Sequence, residues 1–244
     1  MFGLDRQVEP FHLVHYLALA SCLAVVEPDE LHVHCHNLPY GFYWDLIRPR
    51  VLLHRVEPVE QIAEFDYEPD VGRYAYAHHA DFVRLDVLAR WGGLYADIDT
   101  LFLRPPPPEF WHAPAVIGRE ADVRDEYGRM RGALSNALLM SAPGGEFVRV
   151  WRERIAGAFD GSWAQHSCLL AHDLAAIANG QLHFSIRPQT PVRELDRQCP
   201  LVHALAEPVA KSTVDLVRRP DDPVRHVAMH ELHGATRSSP SHSP

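Results

Sequence analysis

The apolar positions of residues 11–26 form a broad helical surface broken only by His12, His15 and Ser21, and the segment lies between Pro10 and Pro28. Proline is tolerated where a helix begins and cannot be carried through its interior, so these bounds predict a first helix. Residues 31–36 then alternate as a strand. Pro39-Tyr40-Gly41 reads as a turn, residues 44–47 as a short helical piece and residues 51–55 as a second strand. In residues 74–91, Ala77, Phe82, Leu85, Leu88 and Ala89 recur at helical spacing, Arg90 sits in the last turn, and Gly92-Gly93 offers a left-handed stop. Residues 94–98 read as a strand running out to Asp97 and Asp99, and residues 101–103 extend it until the prolines at 105–108 halt regular structure.

Further strands are expected at 115–118 and 137–141, with the charged, apolar-poor stretch 119–131 as a mobile loop nearby. Gly144-Gly145 introduces a helix over 146–159 whose Phe147, Val150, Trp151 and Ile155 face the sheet; another helix covers 168–178. Short strands and prolines follow, ending with residues 224–232. Strand and helix in alternation at this spacing predict an α/β fold with a mainly parallel sheet covered by helices. Residues 1–234 are expected to form a single domain and the polar tail 235–244 to be disordered.

A chain of 244 residues that is 47% hydrophobic can bury the core such a domain needs. Its net charge of -9, with Lys211 as the sole lysine, argues against a nucleic-acid partner. An anionic ligand would have to be met by particular arginines, a helix N-terminus or a metal ion. Cys22, Cys35, Cys168 and Cys199 are scattered without a CxxC pair, which reads as free thiols. The longest apolar stretch, 17–26, is half of what a membrane span needs and has no basic segment before it, so a cytoplasmic protein with no transmembrane segment is expected. Of seventeen histidines, only His32-Val33-His34-Cys35-His36 is dense, and its alternation predicts a shared strand face rather than a ligand cage.

The richest chemistry lies between His78 and Asp99. Asp81 and Arg84 are three apart on the predicted helix and share a face, as a bipartite ligand clamp or as a plain ion pair. Asp97 and Asp99 are two apart on the predicted strand, which would send both carboxylates to one side. Two such carboxylates suit Mn²⁺ or Mg²⁺, whose remaining ligands are phosphate oxygens and water. His78 and His79 are expected to be cap or surface residues.

In order and spacing, Asp81, Arg84, Gly92-Gly93, Tyr95, Asp97 and Asp99 resemble the DXD region of glycosyltransferase family 32, whose members include clostridial glucosylating toxins and yeast initiating mannosyltransferases. The resemblance extends less specifically to residues 11–16, to Ser135-Asn136-Ala137 and to Met229-His230-Glu231-Leu232-His233. It implies a GT-A-like, Rossmann-like domain and a retaining, metal-dependent transfer of sugar from a nucleotide-sugar donor (UDP or GDP) to a glycan, lipid or protein acceptor. Under it, Asp99 ligates the metal directly and Asp97 does so through water or binds hydroxyls. Asp81 accepts from sugar hydroxyls, Arg84 holds sugar or diphosphate, Asn136 reaches the reacting sugar or acceptor, and Tyr95 packs over the sugar pocket. His230 reaches the metal or diphosphate, with His233 competing, because relatives carry a Trp shortly after the histidine and this chain does not. The resemblance also implies an apolar first strand of which only the end is expected here, either because the start is misassigned or because part of the strand is missing, with Phe2 and Gly3 as remnants of the nucleotide pocket. Two other readings are an inactive nucleotide-sugar-binding module and a metal-dependent phosphoryl or nucleotidyl transferase.

Overall fold

The computed structural model describes residues 9–67, 75–125, 127–177, 184–188 and 226–230. Helix α1 (Leu13–Ser21) runs on into a wider π turn at Cys22–Val26. It is followed by β1 (Glu30–Cys35), α2 (Phe42–Ile47), β2 (Leu52–Arg55), α3 (Glu60–Ala63), α4 (Ala75–Trp91) and β3 (Gly93–Asp97). The second half contributes β4 (Ala115–Arg124), β5 (Met130–Ser141), α5 (Glu146–Ala158), α6 (Leu170–Ile177), β6 (Phe184–Pro188) and β7 (His226–His230). The seven strands form one sheet in the order β2-β1-β7-β3-β5-β4-β6. Only the β3–β5 and β4–β5 pairings are antiparallel, so the α/β, mostly parallel architecture expected from the sequence is present.

The period of two along β3 divides the core. Leu94 and Ala96 join Phe11, Leu19, Trp44 and Met229 beneath α1 and α2, whereas Tyr95 joins Leu85, Leu88, Trp151 and Ala228 beneath α4, α5 and α6. Burying residues such as Trp151, which is 0% exposed, supplies the drive that lets a sheet carry helices on both faces.

Three sequence expectations are corrected here. The stretch 119–131 is no loop: β4 and β5 pair as a long antiparallel hairpin with register shifts after Ile117 and Glu120. It lacks an apolar face because its outer half projects from the core, and it is held by the backbone ladder and by Asp125. The Asp125 carboxylate accepts from the backbone N–H of Tyr127 (3.0 Å) and Arg129 (2.9 Å) and from the Arg129 side chain. Residues 101–103 do not continue β3, which ends at Asp97 in a turn closed by the Thr100 N–H on the Asp97 carbonyl (2.9 Å). His78 and His79 are neither caps nor surface groups but lie inside α4, 1% and 0% exposed.

The position between β1 and β3 is taken by β7, parallel to both, with His230 in register with His34 on one side and Asp97 on the other. The remaining expectations for the first strand, including Phe2 and Gly3, fall outside the described residues, as do His233 and the tail. His32 and His34 share a face of β1, where both rings stack on His54 at 5.0 Å. His36, just past the strand, packs edge-on against His79 instead.

Candidate active site

The turn from α4 into β3 aims the site. Gly92 has φ +66°, and a Cβ there would come within 2.5 Å of the Pro143 nitrogen, so the helix can stop and reverse directly into β3 only with glycine at this position. The reversal puts the first turns of α4 beside the carboxyl end of β3, which brings Asp81 and Arg84 to Asp97.

These residues form a compact charged knot. Arg84 Nη2 lies 3.1 Å from Asp81 Oδ1 and 3.4 Å from Asp97 Oδ1. Its Nε donates to the Ala80 carbonyl at 3.1 Å, its Nη1 donates to the Asn136 carbonyl, and its guanidinium covers the Tyr95 ring at 4.7 Å. Asp81 accepts in addition from Asn136 Nδ2 (2.6 Å) and sits 2.9 Å from His166 Nε2. The Tyr95 hydroxyl donates to Asp97 Oδ1 at 3.1 Å.

Electrostatics follow from this packing. Burial pushes the Asp81 carboxyl up, but Arg84 and the His166 hydrogen bond outweigh it and hold the group below the usual carboxylate range. For Arg84, burial works downward and is overcome by Asp97, Tyr95 and Asp81, so the guanidinium stays charged. Asp97 goes the other way: burial raises it to about 6, with Arg84 only partly opposing the rise. Burial also raises Tyr95 well above the ordinary phenol value, keeping it a neutral donor.

A cavity of about 350 Å³ opens on this knot. Asp81, Arg84, Asp97, Asp99 and Asn136 all line it, together with Ser167 and Cys168. Five of the sequence-predicted residues therefore meet at one cavity. Two expected placements change. Asp99 lies in the turn after β3 and is exposed, rather than beside Asp97 on one strand, although both side chains reach the same cavity. Tyr95 is 0% exposed and lies beneath the knot instead of over a pocket. Asn136 is in the middle of β5, which begins well before the strand expected at 137. The backbone of His230 lies next to Asp97 by strand register; its side chain is outside the described residues.

Among the described residues the side-chain contacts of Asp97, from Tyr95 and Arg84, both fall on Oδ1, leaving Oδ2 for a cation. With Asp99 it supplies two hard oxygen donors at a cavity mouth. Among the described residues no group of three or more His, Cys, Asp or Glu side chains is arranged to hold a metal. Two carboxylates alone fit Mg²⁺ or Mn²⁺, which keep waters and phosphate oxygens as their other ligands, and do not fit a structural zinc cage.

Sequence reasoning missed His166, Ser167 and Cys168, which sit on the π turn Gln165–Leu169 ahead of α6. They are almost 70 positions from the Asp97-Ile98-Asp99 motif and carry no spacing signal of their own; only the fold brings them there.

Residues 49–120 match the family model described as the glycosyltransferase sugar-binding region containing DXD motif. The chain is 32% identical over 163 residues to Glucan organizing enzyme 1 of Cryptococcus neoformans var. grubii serotype A, an alignment that takes in 66% of this chain and 42% of that protein. The chain thus spans less than half the length of that relative. Among solved structures, PaToxG Glycosyltransferase superposes with a TM-score of 0.44 at 13% identity, covering 72% of this chain and 71% of that one.

Proposed function

We propose, for a chain that belongs with the DXD-containing glycosyltransferases, that it transfers a sugar with retention from a UDP- or GDP-sugar to a glycan, lipid or protein acceptor, as one GT-A-like catalytic unit over residues 1–234. The observation that carries this reading is the convergence of Asp81, Arg84, Asn136, Asp97 and Asp99 on one cavity. Two of the carboxylates are arranged for a cation and a third, Asp81, is locked into an ionised acceptor by Arg84, Asn136 and His166.

In this reading Asp97 Oδ2 and the Asp99 carboxylate hold Mn²⁺ or Mg²⁺, which when bound offsets the charge that develops on the departing diphosphate. His230 is a further candidate ligand, since its backbone stands beside Asp97. Arg84 has four of its five N–H groups facing protein acceptors, so it acts mainly by fixing Asp81 and Asp97 and only through its last Nη1 hydrogen on the donor. Asp81 has lone-pair capacity left to accept from sugar hydroxyls, and Asn136 holds it in place. Cys168, pushed up to about 11 by burial and then by Asp81, stays a neutral thiol and is no nucleophile at neutral pH. The chain's contribution is therefore positioning and preorganised charge.

The test is thermal-shift and calorimetric binding of UDP- and GDP-sugars with and without Mn²⁺, on the wild type and on Asp99→Asn. Asp99 is exposed, so the substitution should leave the ligand-free melting temperature within the range of ordinary surface changes. Metal-dependent stabilisation by a sugar nucleotide should appear in the wild type and be largely lost in the variant. Equal stabilisation in both, or none that needs metal, would overturn the assignment.

A further inference from the structure

His166 is a buried histidine that enters the site only through Asp81, which it helps to hold ionised. It is 0% exposed, and its Nε2 lies 2.9 Å from Asp81 Oδ2. A carboxylate held ionised only accepts, so the hydrogen of this bond is on Nε2. The other ring nitrogen, Nδ1, is buried and has no hydrogen-bond partner among the described residues. Leaving a buried acceptor unsatisfied costs stability, so the ring is not placed for its own sake. Among the described residues the ring's only polar attachment is to Asp81.

The ring is also immobilised. It meets His78 edge-on at 4.8 Å and Phe159 at 4.9 Å, and the His166 carbonyl accepts from Trp151 Nε1 at 3.1 Å. The next two residues, Ser167 and Cys168, line the same cavity as the knot. His166 therefore ties that part of the lining to the Asp81 carboxylate. Asp81 is gripped from three elements: Arg84 on its own helix, Asn136 on β5 and His166 on the turn before α6.

We propose that His166 is a positioning residue that fixes which Asp81 lone pair faces the cavity, and so sets how much of the donor's binding comes from its sugar ring rather than from its diphosphate. This rests on the reading of Asp81 as the sugar-facing acceptor. A carboxylate free to rotate would present its lone pairs in the wrong directions, and misplacements of about 1 Å at such a site cost on the order of a hundredfold in rate.

The experiment compares dissociation constants for UDP-glucose, UDP-N-acetylglucosamine, UDP-galactose and GDP-mannose with those for UDP and GDP, in Mn²⁺, on the wild type, His166→Leu, His166→Gln and His166→Asn. Glutamine can place an amide N–H near the position of Nε2; asparagine reaches only as far as Nδ1. For the sugar nucleotide that the wild type prefers, His166→Leu should weaken binding tenfold or more while the matching diphosphate binds as before, and His166→Gln should recover most of the loss. If His166→Leu does not fold, the two amides keep the test: glutamine should retain sugar-dependent affinity that asparagine lacks. Equal losses for sugar nucleotide and diphosphate, or no difference between the amides, would overturn the proposal and leave a packing role. A wild type whose sugar nucleotides bind no better than the diphosphates would instead overturn the reading of Asp81, and this inference with it.

Discussion

Helix α4 contributes to two arginine–aspartate pairs, and they sit in opposite environments. Arg84 and Asp81, on the end facing the cavity, have side chains only 3% and 8% exposed. Asp86, little more than one turn further on, pairs with Arg152 of α5 at 59% and 53% exposure. The chemistry of the two pairs is the same. What differs is that the first has been taken out of water, where each charge must be matched by fixed partners, and the second keeps its solvent. Buried ion pairs add little net stability compared with apolar packing, but breaking one leaves a stranded charge. A buried pair that also lines a cavity is therefore held for what it orients, whereas an exposed pair needs no such account.

The largest effect should come from Arg84→Met. It leaves the Asp81 charge without its guanidinium counter-ion and, among the described residues, Asp97 with only the Tyr95 hydroxyl, and stability measured by urea unfolding should fall by about 3–5 kcal/mol. Adding Asp81→Leu to this variant should recover part of the loss, because the stranded charge is then gone. If the double variant were less stable than Arg84→Met alone by the full cost of Asp81→Leu, the two residues would be acting independently and the knot would not be a unit.

The contrast also explains what could be read from the chain itself. Helical spacing, the Gly92-Gly93 stop and the alternation along β3 were legible, since each depends on neighbours within a turn or two. The carboxylates and Arg84 were legible through order and spacing. The hairpin of β4 and β5 was not, because its outer part buries no apolar face and only backbone pairing and Asp125 hold it. His166 and the buried state of His78 and His79 were equally hidden: a histidine's position in sequence does not tell whether Tyr67, Phe159 and a distant turn will close over it. The register that sets β7 between β1 and β3 joins residues more than 130 positions apart, beyond the reach of any local pattern.

A smaller effect should separate the two ends of the helix by pH. Burial pushes His78 and His79 down to about 4, with His166 adding to the effect on His78 and His36 to that on His79. Asp81 and Asp160 oppose the shift of His78 only in part. Once unfolded, both return to the ordinary histidine value near 6.5. Between those values the unfolded chain takes up protons that the folded chain refuses, so stability is intact above pH 6.5 and falls as pH drops toward 4. Each histidine steepens that slope by at most about 1.4 kcal/mol per pH unit. Proton NMR of the ring C–H signals should show both titrating well below 6; a midpoint near 6.5 for either would mean that the cavity end of α4 is open to water.

The smallest effect belongs to the exposed end. Arg152→Met removes a charge that Asp86 can replace with water, so its stability cost should be about 0.5 kcal/mol or less. The informative variable is salt. Charges in solvent are screened over roughly 8 Å at physiological ionic strength, so whatever the pair contributes should vanish between 0.05 and 0.5 M NaCl, taking these as rough bounds. The Arg84→Met deficit should hardly move over the same interval, since buried pairs are screened much less than exposed ones. Were the Arg152→Met cost to exceed 2 kcal/mol, as a rough threshold, and persist in salt, exposure would not be what separates the two pairs. The orienting role given to Arg84 would then need some cause other than its burial.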